Sequence, residues 1–290
     1  MSTSIPSRNG GAEFPRRIVC LTEETVETLY LLGEDARIVG VSGYAQRPPE
    51  VKAKPRVGAF ANVKFDRIVE LKPDLVLTFS DVQAEITREL VKRGVAVWNF
   101  NQRTVAGILD MIAALSRMVG QEREGRVLIE RLAHGLDEIA AAASVWPRRP
   151  RVYFEEWDDP LISGIGWVEE LIAIGGGEPV FPELLGRSKA QDRVVNAAEV
   201  AKRDPEVILA SWCGKKVDVN AIAARPGWST IDAVREGHVY EIDSTIILQP
   251  GPAALTDGVR EIHRILARVA SGEAGGVGSG SRSPIELQKE

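Results

Sequence analysis

The stretch that decides the fold is residues 104–147, TVAGILDMIAALSRMVGQEREGRVLIERLAHGLDEIAAAASVWP. Its second half carries apolar side chains at steps of four, four and three, which place them on one face of a helix: Leu128, Leu132, Leu136 and Ile139. The spacing predicts a helix over residues 121–144, about 36 Å long at 1.5 Å per residue. A crossover between neighbouring strands needs far less, so we expect a rigid strut between two lobes.

Strand and helix signals alternate on both sides of this strut. Short apolar runs typical of buried strands occur before it at residues 17–21 (RIVCL) and 73–79 (PDLVLTF), and after it at 151–155 (RVYFE) and 205–211 (PEVILAS). Such alternation with helical segments favours parallel sheets covered by helices. The fold class expected is α/β, with two Rossmann-like lobes of mostly parallel sheet joined by a single long α-helix.

The predicted boundaries follow from these signals. Residues 1–15 and 271–290 are rich in Gly, Pro and Ser and are expected to be a flexible arm and a disordered tail. The predicted N-terminal lobe covers residues 16–119, the connecting helix 120–147 and the C-terminal lobe 148–270. A weak strand is predicted at residues 57–61 and a last helix at 252–270. A weak internal repeat relates residues 68–77 to residues 200–209, each a short helix, a proline-marked turn and a strand.

Composition excludes several classes of protein. The 290-residue chain has a net charge of −5 and no basic stripe, which argues against a nucleic-acid partner. No apolar run approaches the roughly 20 residues that span a bilayer. The first 16 residues lack the apolar segment of a secretory signal, so we expect a cytoplasmic location unless a leader is missing from this sequence. Two cysteines and three histidines without close pairs predict neither a disulfide framework nor a structural zinc site.

Several segments carry a resemblance to a known family. The most specific is residues 66–76 (DRIVELKPDLV), supported by residues 39–42 (VGVS), 57–60 (VGAF), the glycine run 175–177 and the Gly251-Pro252 pair. The chain resembles the substrate-binding proteins of ABC importers that carry cobalamin, iron-siderophores and haem, and is most similar to the cobalamin-binding members. The resemblance covers about residues 16–270. It implies two α/β lobes with a ligand in the cleft between them, and we expect a monomer.

The resemblance also indicates ligand-binding residues in the first lobe. Tyr44 and Phe60 stand where the family places ring-bearing residues, and aromatic faces suit large flat ligands. The alternative is that each ring only packs its own loop. Asp81 and Gln83 follow a predicted strand and are candidate polar contacts, although either could instead cap the next helix.

The second lobe departs from the cobalamin pattern. Four carboxylates in five residues surround Trp157 at a predicted strand end: Glu155, Glu156, Asp158 and Asp159. They could bind a cation, a cationic ligand or a metal chelate, or form a solvated acidic loop.

Further candidates follow the next strands of this lobe. Trp212 is a candidate stacking surface, and its neighbour Cys213 is a weak candidate ligand for a soft metal. Thr245 and Gln249 are candidate ligand contacts in the loop after the last predicted strand. That loop lacks the Asp and Arg of cobalamin binders.

The function expected from the resemblance is delivery of a corrinoid or iron-chelate ligand to an ABC importer. The ligand could be a corrinoid, haem or a ferric siderophore, and no resident cofactor is expected. The family pairs one acidic residue per lobe with the permease: Asp66 matches the first, whereas the second position is Ala198, with Glu199 adjacent.

Two alternatives stay open. A cytoplasmic protein could store or sense a similar ligand without docking to a transporter. A metal-dependent hydrolase could use Glu155, Glu156 and Asp158, but the chain has no nucleophile motif and no phosphate-binding loop, so we expect no enzyme.

Overall fold

The computed structural model describes residues 15–272. The predicted arm therefore lies almost entirely outside the described residues, as does nearly all of the predicted tail. The chain divides into two compact units. The first holds the residues up to His134 together with Gln249–Ala253, and the second holds Gly135–Leu248 and the residues from Ala254 onward. No helix within residues 15–272 is both long and apolar enough to cross a membrane.

The first unit is built on a parallel four-stranded sheet of order β2-β1-β3-β4. Its strands are β1 (Ile18–Cys20), β2 (Ile38–Val41), β3 (Leu75–Phe79) and β4 (Val97–Phe100). Its helices are α1 (Glu23–Leu31), α2 (Phe65–Glu70), α3 (Ala84–Lys92) and α4 (Val105–Met118). Strand residues such as Val19 and Val76 are fully buried against Ile68 of α2 and Leu90 of α3. The predicted parallel α/β lobe is confirmed.

The connecting helix α5 (Glu122–Ser144) runs unbroken for 23 residues, or about 34 Å. The boundary between the two units falls inside it, between His134 and Gly135. Leu128, Leu132 and Leu136 of the predicted stripe are buried, and Ile139 is half-buried. The long helix predicted from the apolar spacing is therefore confirmed within one residue at its start.

The second unit holds a sheet of order β6-β5-β8-β9, with β7 pairing the start of β5. Its strands are β5 (Arg151–Asp158), β6 (Leu161–Ser163), β7 (Glu178–Pro179), β8 (Val207–Ala210) and β9 (Val239–Glu241). Its helices are α6 (Gly166–Ile174), α7 (Ala197–Arg203), α8 (Val219–Ala223), α9 (Asp232–Arg235), α10 (Ser244–Ile247) and α11 (Val259–Ala270). The β5–β8 and β8–β9 pairs are parallel, whereas the hairpin strand β6 is antiparallel to β5. The sheet is therefore mostly parallel, as predicted.

The weak internal repeat corresponds to a repeated clamp at the amino ends of the strands. In the first unit the Arg17 guanidinium donates to the Leu71 carbonyl at 2.6 Å, and the Asp74 carboxylate accepts the Arg17 N–H at 2.9 Å. In the second unit the Arg151 guanidinium donates to the Asp204 carbonyl at 2.7 Å, and Glu206 accepts the Arg151 N–H at 3.0 Å. Lys72 and Asp204, the residues before the two prolines, share a φ of +47°.

Three predicted boundaries were wrong. Residues 57–61 do not form a strand: Gly58 alone makes an isolated bridge, to Val63. Gly58 has a φ of +131°, and its backbone passes too close to Asn62 and Val63 for a side chain. The last helix begins at Val259, after a wide turn over Ala254–Gly258. Strand β5 continues to Asp158 because residues 155–158 pair with β6, so these residues do not form an acidic loop.

Candidate ligand-binding site

Tyr44 lies in the loop after β2, and its side chain is exposed. The Arg56 guanidinium holds this loop by donating to the carbonyls of Ser42 at 2.8 Å and Ala45 at 2.6 Å. The Tyr44 N–H donates to the Ser42 hydroxyl at 3.3 Å. The backbone on both sides of Tyr44 is therefore fixed while its ring is left accessible, as a ligand contact requires.

Phe60 is half-buried, and its loop is tied to the sheet by Gln83. The fully buried Gln83 amide donates to the Phe60 carbonyl at 2.7 Å and to the Leu21 carbonyl at 3.3 Å. The same amide accepts the Phe79 N–H at 2.9 Å. Gln83 thus joins the ends of β1 and β3 to the loop that carries Phe60, and we assign it a positioning role that the sequence alone did not indicate.

Replacing Gln83 with leucine is expected to destabilise the protein by about 1–3 kcal/mol, because the buried Leu21 carbonyl and the buried Phe79 N–H lose their partner. Urea unfolding followed by circular dichroism measures this. Glu85→Ala on the exposed start of α3 is the matched control and is expected to change stability by less than about 1 kcal/mol. Equal stability of Gln83→Leu and the wild type would contradict the assigned role.

Asp81 follows β3, and its carboxylate is largely exposed. Arg103, which follows β4, donates to it at 3.1 Å and lies 4.8 Å over the ring of Phe79. Phe79, Arg103 and Asp81 thus form a chain of contacts between the carboxyl ends of the neighbouring strands β3 and β4. Asp81 remains a predicted ligand contact, now with a basic partner that the sequence did not identify.

The acidic run in β5 is separated into individual ion pairs, because side chains alternate between the two faces of a strand. Glu155 is fully buried, and its carboxylate accepts two hydrogen bonds from Arg225, at 2.5 and 2.9 Å. Burial raises the pKa of Glu155, and the paired guanidinium opposes that shift. Glu155 is thereby enclosed within the unit, so we assign it a positioning role.

Glu156 points to the other face, where Arg193 donates to it at 2.6 and 2.9 Å. Arg193 is almost fully buried and also donates to the Ser163 carbonyl. The neighbouring Glu169 is buried as well, which raises its pKa to about 8. Within residues 15–272, no three Asp, Glu, His or Cys side chains come together in a way that could hold a metal ion.

Trp157, Trp212 and Lys215 form an aromatic cluster with Asp158. The Lys215 ammonium lies 4.7 Å from the centre of the Trp212 ring and 5.6 Å from that of Trp157. It also donates to the Asp158 carboxylate at 2.6 Å. The two tryptophans that the sequence singled out are therefore brought together at the ends of β5 and β8.

The remaining candidates are Cys213, which lies in the turn between Trp212 and Lys215, and Thr245 and Gln249 farther along the chain. Cys213 is exposed in the turn after β8, whereas Cys20 is buried in β1, which raises its thiol pKa to about 12. Thr245 is in the first turn of α10, where its N–H donates to Asp243 at 2.8 Å. Gln249 belongs to the first unit, although the predicted boundaries assign it to the second lobe. All three remain predictions as ligand or metal contacts.

Gln249 begins a five-residue strap, Gln249–Ala253, that packs on α1 in the first unit. Gln102 donates to the Pro250 carbonyl at 3.0 Å, and Glu27 accepts the Ala253 N–H at 2.9 Å. Gly251 comes so close to Glu24 that a Cβ would lie 2.5 Å from the Glu24 side chain. The strap therefore requires glycine at this position.

The two candidate docking residues differ in their setting. Asp66 is the second residue of α2, strongly exposed, and accepts a hydrogen bond from Arg93 at 2.8 Å. Glu199 is the third residue of α7, less exposed, and accepts one from Arg203 at 3.1 Å. The second position of α7, which corresponds to Asp66, is Ala198. Glu199 thus stands one helix position later than Asp66, both carboxylates carry a basic partner, and their role in docking stays a prediction.

Residues 18–246 match the family of periplasmic binding proteins, and the chain belongs to that family. It is 26% identical over 257 residues to an ABC transporter substrate-binding lipoprotein of Bacillus subtilis, covering 86% of this chain and 79% of the relative. It is 25% identical over 243 residues to a vitamin B12-binding protein of Vibrio parahaemolyticus, covering 82% and 85% of the two chains.

Solved structures share the fold. The periplasmic vitamin B12 binding protein of Vibrio cholerae superposes with a TM-score of 0.70 at 22% identity, over 89% of this chain and 99% of that one. A haem complex of the S. aureus protein IsdE gives a TM-score of 0.74 at 20% identity, over 86% and 98% of the two chains. The predicted family and the predicted two-lobe fold are thus confirmed.

Proposed function

We propose that this protein binds a corrinoid or an iron chelate and delivers it to an ABC importer. The observation that carries the proposal is the accessible ring of Tyr44, on a loop that Arg56 fixes, in a chain whose relatives include vitamin B12-binding proteins. Large planar ligands are gripped mainly by apolar and aromatic faces, with few polar contacts to orient them. Half-buried Trp157 supplies such a face in the second unit, whereas Trp212, predicted as a stacking surface, is buried in the core with Lys215 over its ring.

The test is a panel of cyanocobalamin, haemin and ferrioxamine B, each added to purified protein during thermal melting. A ligand at 100 times its dissociation constant stabilises the native state by about 2.7 kcal/mol, so one member of the panel is expected to raise the melting temperature clearly. The absence of a shift with all three would overturn the proposal. Mass spectrometry of the recovered ligand tests the accompanying proposal that the protein is not an enzyme, because a binding protein returns it unchanged.

Replacing Tyr44 with alanine is expected to weaken binding of the responding ligand about tenfold, since one aromatic contact is lost. Isothermal titration measures the affinity. Leu31→Ala removes a similarly exposed apolar side chain from α1 and is the control, with unchanged affinity expected. If Tyr44→Ala binds as tightly as the wild type, the ring is not a ligand contact.

We also propose that Asp66, and Glu199 to a lesser degree, contact the permease. The support is the strong exposure of Asp66 in the first turn of α2, whereas Glu199 is drawn toward Arg203. Asp66→Arg is expected to abolish ligand uptake by cells while leaving the affinity of purified protein unchanged. Normal uptake by the variant would contradict this role.

Delivery to an importer places the protein on the side of the membrane from which ligand arrives, and we propose that location. The support is the description of the Bacillus subtilis relative as a lipoprotein. N-terminal sequencing of the protein isolated from its cells is the test. Processing at an upstream leader agrees with the proposal, whereas an unprocessed Met1 would favour the cytoplasmic storage or sensing role.

A further inference from the structure

A cation that the chain itself supplies, the Lys215 ammonium, lies over the rings of both Trp157 and Trp212. Lys215 reaches back from a tight turn that is closed by its own N–H donating to the Trp212 carbonyl at 3.3 Å. Gly214 in this turn has a φ of +73°, which suits glycine. The ammonium ends over both indole rings and against Asp158, 2.6 Å from one carboxylate oxygen. We refer to Trp157, Trp212 and Asp158 as the indole box.

Charge balance dictates which kind of group could replace this ammonium. The two other carboxylates of this strand are already paired, Glu155 with Arg225 and Glu156 with Arg193, each through two hydrogen bonds. Asp158 forms its ion pair with Lys215. If the ammonium left, the box would retain one negative charge against two electron-rich ring faces. A neutral or anionic guest would leave that charge uncompensated, whereas a cation would restore both the ion pair and the cation–π contacts.

The rings of Trp157 and Trp212 are held more firmly than the Lys215 side chain that lies over them. Trp212 is 3% exposed and belongs to the core of the second unit, and Trp157 packs against that core. The Trp157 indole N–H donates to the Asp159 carbonyl at 3.1 Å. By contrast the Lys215 side chain is 49% exposed and sits on a flexible four-carbon stem. Lys215 can therefore swing into water while the rings keep their positions.

We propose that the indole box receives a cationic alkylammonium group of the transported ligand, and that Lys215 is the internal cation which this group displaces. The inference rests on the proposed function, because it describes one contact of the ligand that the protein would carry. It selects, among metal chelates, those with a positively charged amine or quaternary ammonium substituent. Such a guest must compete with a covalently attached lysine, so the wild type binds a small cation weakly.

The experiment uses tetramethylammonium chloride as the probe, titrated into the full chain against sodium chloride at equal ionic strength. Tryptophan fluorescence reports binding at the rings. Lys215→Ala is expected to bind the probe at least about tenfold more tightly than the wild type, because the competing ammonium is gone. Lys215→Met, which keeps an apolar stem, is expected to rank between them. Lys216→Ala is the matched control and is expected to behave as the wild type.

A second substitution tests the carboxylate. Asp158→Asn in the Lys215→Ala background is expected to remove the gain, since the box then lacks a net charge. The inference is overturned if Lys215→Ala binds the probe no more tightly than Lys216→Ala, or if Asp158→Asn leaves its affinity unchanged. Thermal melting of each variant verifies that it is folded under the titration conditions.

The result is separable from the test of the proposed function. Binding of a panel ligand by the wild type, combined with no gain in Lys215→Ala, overturns the indole box and leaves the proposed function standing. A gain in Lys215→Ala, combined with no response to the panel, supports the box and overturns the choice of corrinoid or iron chelate.

Discussion

The Glu169→Gln variant is expected to lose a large part of the pH dependence that wild-type stability shows between about pH 5 and pH 8. Glu169 is buried, and desolvation of its charged form raises its pKa from the ordinary value of 4.5 to about 8. The native state therefore holds a proton that the unfolded chain releases near pH 4.5. The stability contributed by the neutral carboxyl is fully present below the unfolded pKa and is lost as pH rises through the folded pKa.

The size of this effect follows from the shift. A change of about 3.5 pKa units corresponds to roughly 3–5 kcal/mol at pH values above 8, since each unit is worth about 1.4 kcal/mol. Glutamine keeps a neutral side chain beside the Ser163 hydroxyl, which lies 3.4 Å from Glu169. Urea unfolding at pH 5, 6.5 and 8 is the measurement.

Two comparisons make the result specific to Glu169. Glu178→Gln at an exposed position is the control and is expected to leave the pH profile unchanged. Glu24, which is buried under the strap in the first unit, has a pKa raised to about 7. It is therefore expected to cause a smaller fall in stability with rising pH, and this fall remains in the Glu169→Gln variant. A wild-type-like profile in Glu169→Gln would contradict the prediction.

Removing Arg225 is expected to be the most damaging change near the candidate site. Arg225→Met leaves the Glu155 carboxylate buried without its two hydrogen bonds, which costs about 3–5 kcal/mol in comparable buried pairs. The charge, rather than the lost packing, is the cause. Adding Glu155→Gln is therefore expected to restore a substantial part of the lost stability.

A double-mutant cycle of Arg225→Met and Glu155→Gln measures this coupling by chemical unfolding at pH 7. Arg235→Met is the control, because Arg235 makes an exposed pair with Asp232 at 2.6 Å that is expected to be worth less than about 1 kcal/mol. If the double variant is no more stable than Arg225→Met alone, Arg225 does not stabilise the protein by compensating the buried Glu155 charge.

The fold could be predicted because its signals are local. The apolar stripe of α5 recurs within three to four residues, and the strands β3 and β8 are short continuous apolar runs. The Thr104 hydroxyl caps α4 by accepting the Gly107 N–H, which is the use that threonine commonly has at a helix start. The three-residue strand β6 carries no periodicity, so it could be found only through its pairing with β5.

The site could be predicted only in part, because three of the four acidic residues are matched by a base far along the chain. Glu155 pairs with a residue 70 positions away, Glu156 with one 37 away and Asp158 with one 57 away. Composition indicates four carboxylates but not which guanidinium or ammonium each one meets. The period-two alternation of a strand could have separated Glu155 from Glu156, had β5 been extended to Asp158. The role of Gln83 depends on three backbone groups from separate segments and left no local signal.

The repeated clamp has a consequence for how this scaffold can change. Arg17 with Asp74, and Arg151 with Glu206, fasten the amino ends of the two sheets, whereas the candidate contacts follow the carboxyl ends. In each unit the hydrogen bonds that close the sheet thus lie at the amino ends of the strands, and the candidate ligand contacts lie at the carboxyl ends. Tyr44 and Lys215 are exposed and take no part in these hydrogen bonds, so substitutions at either position can alter a ligand contact while the fastening of each sheet stays intact.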